Sequence, residues 1–186
     1  MTDFKKLSTP ELEAGLEFIL QSPKDNGHVH MIVRRPDIEN RECLEIGELN
    51  VDEGLVGDNW RTRGSPMTLD GLAHPEMQLN LMNSRVVDLV ATTEARWPLA
   101  GDQFFVDLDL SWENLPTGTR LQMGTAVIEI TSILHLGCKK FLSLFGRDAL
   151  MFVNSEKGKR LNLRGICAKV LEPGTVKVND ALRRLA

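Results

Sequence analysis

Apolar residues alternate with polar ones through most of this chain and take helical spacing in only a few stretches. The first is helical. Residues 8–21 place Leu12, Leu16, Ile19 and Leu20 on one face, with Ser8 or Thr9 as cap, Pro10 in the first turn and Glu11 completing a Ser-x-x-Glu box. Ser22-Pro23-Lys24-Asp25-Asn26-Gly27 then breaks the pattern. Strand signals follow. Residues 28–34 alternate with Val29, Met31 and Val33 on one face; residues 42–49 alternate with Leu44, Ile46 and Leu49 inward. Residues 78–82 form a short strand, and Asn83-Ser84 cap a helix running to about Arg96 through Val86, Val87, Leu89 and Val90. Residues 104–110 alternate strongly. Residues 120–123 and 126–134 flank Gly124-Thr125 as a hairpin, and 166–172 and 175–178 flank Pro173-Gly174 as a second. Between them, 141–145 and 148–153 read as short helices split near Gly146.

About eight short strands without βαβ rhythm argue against a doubly wound parallel sheet. The expected fold is mainly β: a closed or nearly closed β-barrel with accessory helices outside it or across its mouth. Residues 1–27 form a helical appendage and residues 28–186 the barrel domain. With 186 residues, one domain with a real core is expected.

Charge narrows the function. The net charge of −4 argues against a general nucleic-acid binder, and no apolar stretch approaches the roughly 18 residues that cross a membrane. Met1-Thr2-Asp3-Phe4-Lys5-Lys6 lacks the apolar run of a leader, and three scattered cysteines without CxxC fit a reducing cytoplasm. The charge is polarised. Residues 1–135 carry 11 Lys+Arg against 22 Asp+Glu, whereas residues 136–186 carry 11 against 4. The basic part starts beside Cys138, a layout suited either to a small anion or to a solvated basic surface.

Cys138 is the leading chemical candidate. It lies in His135-Leu136-Gly137-Cys138-Lys139-Lys140, at a strand-to-helix turn before two lysines. A helix start and nearby cations favour thiolate, the nucleophilic and metal-binding form. His135, three residues earlier, makes a Cys-His pair, although spacing alone leaves it a structural histidine as readily as a partner. Cys43 and Cys167 lie in strand patterns and are expected to be buried and inert. Gly54-Leu55-Val56-Gly57-Asp58 is a glycine-flanked turn whose aspartate either binds a ligand or caps its own turn. Gly101-Asp102-Gln103 offers acceptors and donors at a strand start. Asp107 and Asp109 share a strand face that is expected to be solvated and to hold no metal. No His/Cys set has zinc spacing. Trp60, Trp97 and Trp112 fall near loops, where they rim a pocket or pack at strand ends.

Taken in order, Gly54-to-Asp58, Gly101-Asp102-Gln103-Phe104 with Asp107-to-Ser111, the 118–131 hairpin, Gly137-Cys138, Leu163-Arg164-Gly165-Ile166 and Glu172-to-Asp180 resemble the MOSC domain, the module found at the C-terminus of molybdenum-cofactor sulfurases and as stand-alone proteins. The resemblance runs from about Val29 to Asp180. It implies a barrel of the pyruvate-kinase barrel-domain type and a cysteine, matched by Cys138, that carries sulfur or ligates the metal of the molybdenum cofactor. Asp58 matches the acidic end of the glycine-rich turn. Asp102 and Gln103 stand where the family often shows Glu-Asn, and Asn179-Asp180 stands for its Gly-Asp. His135, Lys139, Lys140 and Arg164 complete the implied cofactor-binding set, the cations facing an anionic molybdopterin. Reduction of N-hydroxylated compounds is one implied activity, with a sulfur-donor or electron-transfer protein as partner. The alternative is a non-catalytic cofactor or sulfur carrier, or a binding domain acting with a partner protein.

Overall fold

The computed structural model describes residues 4–185, so Met1 to Asp3 of the expected appendage and Ala186 lie outside the described residues. The appendage is two short helices, α1 (Thr9–Ala14) and α2 (Leu16–Leu20), divided at Gly15, whose backbone packs against Leu89. The capping box forms: Ser8 N donates to Glu11 Oε2 at 2.8 Å.

The barrel strands follow with their accessories: β1 (Gly27–Arg34), β2 (Glu42–Leu44), β3 (Ile46–Asn50), β4 (Gly54–Leu55), α3 (Trp60–Arg63), β5 (Leu79–Asn83), α4 (Ser84–Ala91), β6 (Phe104–Asp107), β7 (Arg120–Met123), β8 (Ala126–Ile130), α5 (Lys139–Phe145), α6 (Arg147–Asn154), α7 (Glu156–Arg160), β9 (Ile166–Glu172), β10 (Gly174–Lys177) and β11 (Ala181–Arg184). Seven strands close in the order β11-β7-β8-β9-β5-β6-β1, with β1 pairing back to β11. β2 extends β1, and β10-β3-β4 form a separate small sheet. Closure removes the unpaired edges that an open sheet would expose. All barrel pairings are antiparallel except β5–β6, which α4 connects as the single βαβ unit.

Alternation along each strand sorts the core into two layers. Ile32, Leu81 and Phe104 fill the barrel, while their neighbours Val33, Met82 and Phe105 point outward into a second cluster with Leu12 and Leu16 of the N-terminal helices and Phe141 and Phe145 of α5. Helices α1 and α2 therefore pack on the barrel wall.

Several local expectations are corrected. The 42–49 strand breaks at Glu45 into β2 and β3, which join different sheets, and Ile46, expected inward, is exposed. β9 and β10 form no hairpin: at Pro173 the chain leaves the barrel and β10 pairs with β3 instead. The 83–96 helix ends at Ala91, because Thr92 takes a left-handed φ of 62° and a 3-10 helix over Glu94–Ala100 follows. A β-branched residue is strained there. Thr92→Gly is expected to stabilise the protein by about 1 kcal/mol, read as a higher urea midpoint; an unchanged or lower midpoint refutes the strain.

Candidate functional site

Sequence-distant residues meet at one end of the β1–β6 pair. β1 runs out into Arg35, β6 starts after Gly101-Asp102-Gln103, and Val33 N donates to Gln103 O at 2.7 Å across the two. The carboxylates here are buried, so each requires a cation or several donors. Asp58 receives Arg35 Nε at 2.8 Å and Nη2 at 2.7 Å, the Arg35 backbone N–H at 2.9 Å and Trp60 N at 3.0 Å. It both caps its turn and anchors Arg35. Gln103 Nε2 reaches Asp58 Oδ1 at 3.4 Å and donates to Gln78 O at 3.0 Å.

Beside this pair sits a second one. Arg164 Nη1 contacts both oxygens of Asp102, at 3.0 and 2.7 Å, and its Nη2 donates to Ala100 O at 2.8 Å. Both side chains are buried. Burial pushes the Asp102 carboxyl up, against the pull of Arg164 and of Arg35. His135 Nδ1 lies 3.5 Å from Asp102 Oδ1 with its side chain 13% exposed. Burial, then the charges of Arg164 and Arg35, hold this imidazole well below its usual value, so it is neutral. Gly165, at φ 115°, lets the strand start close on the Leu81 carbonyl and the His135 ring, where a Cβ would clash.

Asp58, Asp102 and Gln103 thus spend their hydrogen-bonding capacity on Arg35, Arg164, one another and the backbone, and Arg164 is held through both Nη atoms. They form a rigid base, and the groups facing outward above it are different. Cys138 is exposed and occupies the N-cap position of α5 without a side-chain cap bond. It stands between two contacts to the base: His135 three residues before, and Phe141 three residues after, whose ring lies 5.1 Å under the Arg164 guanidinium. Gly137 is pinned by Asn154, which accepts from its N–H at 2.8 Å and donates to its carbonyl at 3.0 Å. Lys139 and Lys140 are exposed, and Lys140 Nζ lies 3.5 Å from Glu39. A recess of about 230 Å³ opens between Arg41, Glu39, Lys140, Leu99 and Leu144.

Arg35, Arg41 and Arg63 at this end were not among the sequence-based candidates, whereas Arg164 was. Surrounding protein, then the Arg35 charge, push the guanidinia of Arg41 and Arg63 down, the Asp58 carboxylate opposing this. Among the described residues Arg41 Nε is buried without a partner, as is Arg164 Nε. The available signal was Arg34-Arg35-Pro36 at a strand end, a basic pair pointed at the glycine-rich turn. Cys43 also corrects an expectation. It is exposed, not buried, and partial burial and Glu94 push its thiol up. Cys167 is buried, donates weakly to Asn80 Oδ1 at 3.4 Å, and burial pushes it up to about 12. Asp107 is salt-bridged to Arg85 at 2.8 Å. Among the described residues no group of three or more His, Cys, Asp or Glu side chains is placed to hold a metal ion.

Neutral His135 has a pH signature. Its folded value lies below the unfolded one, so the unfolded chain binds the extra proton; the associated stability is full above about pH 6.5 and is lost as pH falls below it. Stability is expected to fall by up to about 1.4 kcal/mol per pH unit there, and His135→Gln should flatten that slope in denaturation curves between mildly acidic and neutral pH. An unchanged slope refutes a buried neutral His135.

Comparisons with known proteins bear on the fold. No family model and no curated protein matches the chain. Solved structures do. YuaD protein from Bacillus subtilis superposes with a TM-score of 0.58 at 14% identity over 84% of this chain and 94% of that one. YiiM from Escherichia coli gives 0.54 at 18% identity, covering 86% and 70%, and YiiM from Geobacillus stearothermophilus gives 0.51 at 14%, covering 86% and 75%. The chain shares their fold. At these identities the likeness concerns the barrel and its accessory helices, and the chemistry must be argued from this chain's own residues.

Proposed function

We propose that this chain is a MOSC-like module that binds the molybdenum cofactor or a related sulfur-bearing anion, with Cys138 making the bond to sulfur or metal. One observation carries the reading: an exposed thiol is held between His135 and Phe141, both in contact with the buried Asp102–Arg164 base, where further cations collect. The donor set suits the group. Arg41 Nε is a buried donor without a partner among the described residues, and Lys139, Lys140 and Arg63 add positive charge at the same end. Arginine matches phosphate bidentately, and a thiolate suits a soft metal–sulfur centre. When bound, the cofactor supplies the redox or sulfur chemistry. The protein's part is to hold the anion through Arg41, Arg63, Lys139 and Lys140 and to present Cys138 from a turn that Asn154 fixes. Asp58 and Asp102 act as positioning residues, orienting Arg35 and Arg164. Reduction of an N-hydroxylated compound would need electrons from a partner protein.

The exposed sulfur also suits persulfide carriage, and one preparation separates the two roles. Protein made in a cofactor-competent host is expected to retain molybdenum and pterin, with Cys138→Ser lowering retained molybdenum about tenfold or more. Pterin kept without metal by the serine variant marks Cys138 as the metal ligand. Persulfide on the native protein with no molybdenum marks a sulfur carrier. Absence of cofactor and persulfide alike refutes the proposal.

A further inference from the structure

The other end of the β1–β6 pair holds a second site, independent of the Cys138 reading. Asp107 closes β6 opposite His28, four residues from Gln103, a separation of about 13 Å at strand rise. A cavity of about 280 Å³ opens there between β1, β6, α4 and the 3-10 helix. Its walls include the rings of Phe18, His30 and Trp97, with His30 and Trp97 centroids 6.0 Å apart. These two rings already pack on each other, and a further compact aromatic ring can pack beside Trp97 and Phe18.

The polar lining is incomplete in a specific way. Ser84 is 1% and Trp97 6% exposed, both line the cavity, and Ser84 Oγ and Trp97 Nε1 have no hydrogen-bond partner among the described residues. A buried unpaired polar group is costly and uncommon, so two within the residues that line one cavity call for a partner. An indole N–H can only donate, so its partner must carry an acceptor.

Charge decides the rest. Arg85 donates to Asp107 through Nε at 2.8 Å and Nη2 at 3.0 Å, and to Phe18 O through Nη1 at 2.9 Å. Its guanidinium also lies 4.5 Å over the Phe18 ring. Arg85 and Asp107 neutralise each other. The two histidines meet Nε2 to Nε2 at 2.8 Å, so one imidazole accepts from the other. Burial and then the His28 charge push His30 down, which leaves it neutral near pH 7. Asp88, one turn along α4 from Ser84, is exposed and makes no side-chain hydrogen bond or ion pair among the described residues. The cavity therefore carries one uncompensated negative charge.

We infer that this cavity binds a small aromatic monocation bearing an oxygen acceptor, a hydroxylated arylalkylamine in chemical class, with its ammonium on Asp88, its ring beside Trp97 and its oxygen on Ser84 and Trp97 Nε1. Those two buried atoms are shut off from solvent, so the ligand reaches them as neighbouring side chains turn aside, the ordinary extent of rearrangement on binding.

The test uses tyramine as probe and nitrogen–proton correlation spectra of the full chain. Tyramine is expected to shift the Trp97 indole and the Ser84 and Arg85 amides saturably, with a dissociation constant on the order of a millimolar or tighter. Phenethylamine, which lacks the hydroxyl, should bind about five- to tenfold more weakly, and 4-hydroxyphenylacetate, which inverts the charge, should not bind. Asp88→Asn, an exposed change, should weaken tyramine about two- to fivefold. Trp97→Phe should bring tyramine down to the affinity of phenethylamine while the other amides keep their dispersion. No saturable shift with native protein, equal binding of all three probes, or no effect of Asp88→Asn overturns the proposal.

Discussion

Arg164→Met is expected to destabilise the protein by about 3–5 kcal/mol near neutral pH, one of the largest losses available from a single side chain here. Methionine keeps the length and apolar stem, so the loss is electrostatic. Arg164 is the cation on Asp102, with Nη1 at 2.7 Å from one carboxylate oxygen. The variant strands a fully buried carboxylate. Burial already pushes Asp102 up in the native protein, and without Arg164 the carboxyl rises further and takes a proton. The sign follows: a carboxyl raised on folding is a liability at high pH that is relieved as pH falls through its folded value. The variant should therefore lose less relative to native protein in mild acid than at neutral pH. Asp102→Asn combined with Arg164→Met should recover part of the loss, because replacing both partners removes the stranded charge. Urea denaturation of the two single variants and the double variant provides the check. A loss under about 1 kcal/mol, the value of an exposed pair, sinks the account of a buried base. Arg35→Met should behave alike, since Arg35 and Asp58 side chains are 4% and 0% exposed.

Alkylation should divide the three thiols by orders of magnitude. At about pH 8, a thiol raised to about 12 is thiolate in only about one molecule in 10⁴, and Cys167 must also be uncovered by opening before any reagent arrives. Cys138 is exposed at the start of α5 and should label at the rate of an accessible thiol. Cys43 is exposed on β2 and should label too, more slowly, because partial burial and Glu94 push its thiol up. Mass spectrometry of a timed iodoacetamide reaction reads all three, with Cys138→Ser as control. Protection of Cys138 comparable to that of Cys167 would remove the thiol from the proposed site.

Much of the barrel was legible because alternation is a local property. β5, β7, β8 and β9 lie where the period-two pattern placed them, and the split of α5 from α6 followed Gly146. β1 lies there too, but a bulge after Val29 divides the face expected for Val29, Met31 and Val33: Val29 fills the barrel, and Met31 and Val33 join the outer cluster. The elements that escaped have little local signal. β11, whose Ala-Leu-Arg-Arg sequence shows hardly any alternation, closes the barrel between β1 and β7. The Pro173-Gly174 turn looked like a hairpin, yet hairpin formation depends on where the next strand finds a partner, and β10 finds β3.

The sequence by itself determined which residues are chemically capable: a cysteine at a helix start before two lysines, aspartates at two glycine-bounded turns, and an arginine before Gly165. Their types and local backbone settings do not depend on the rest of the chain. The tertiary structure alone decided their use. Closure of β1 against β6 buries Asp58 and Asp102, and a buried carboxylate must be paired, so it recruits Arg35 and Arg164 from 23 and 62 residues away. Cys43 is exposed because β2 lies outside the closed ring, paired with the end of β1 that β11 does not reach. The unpaired Ser84 and Trp97 atoms arise where α4 and a 3-10 helix meet a strand end. Hydrogen bonding and desolvation act over a few ångströms in space, and only the fold sets which residues are that close.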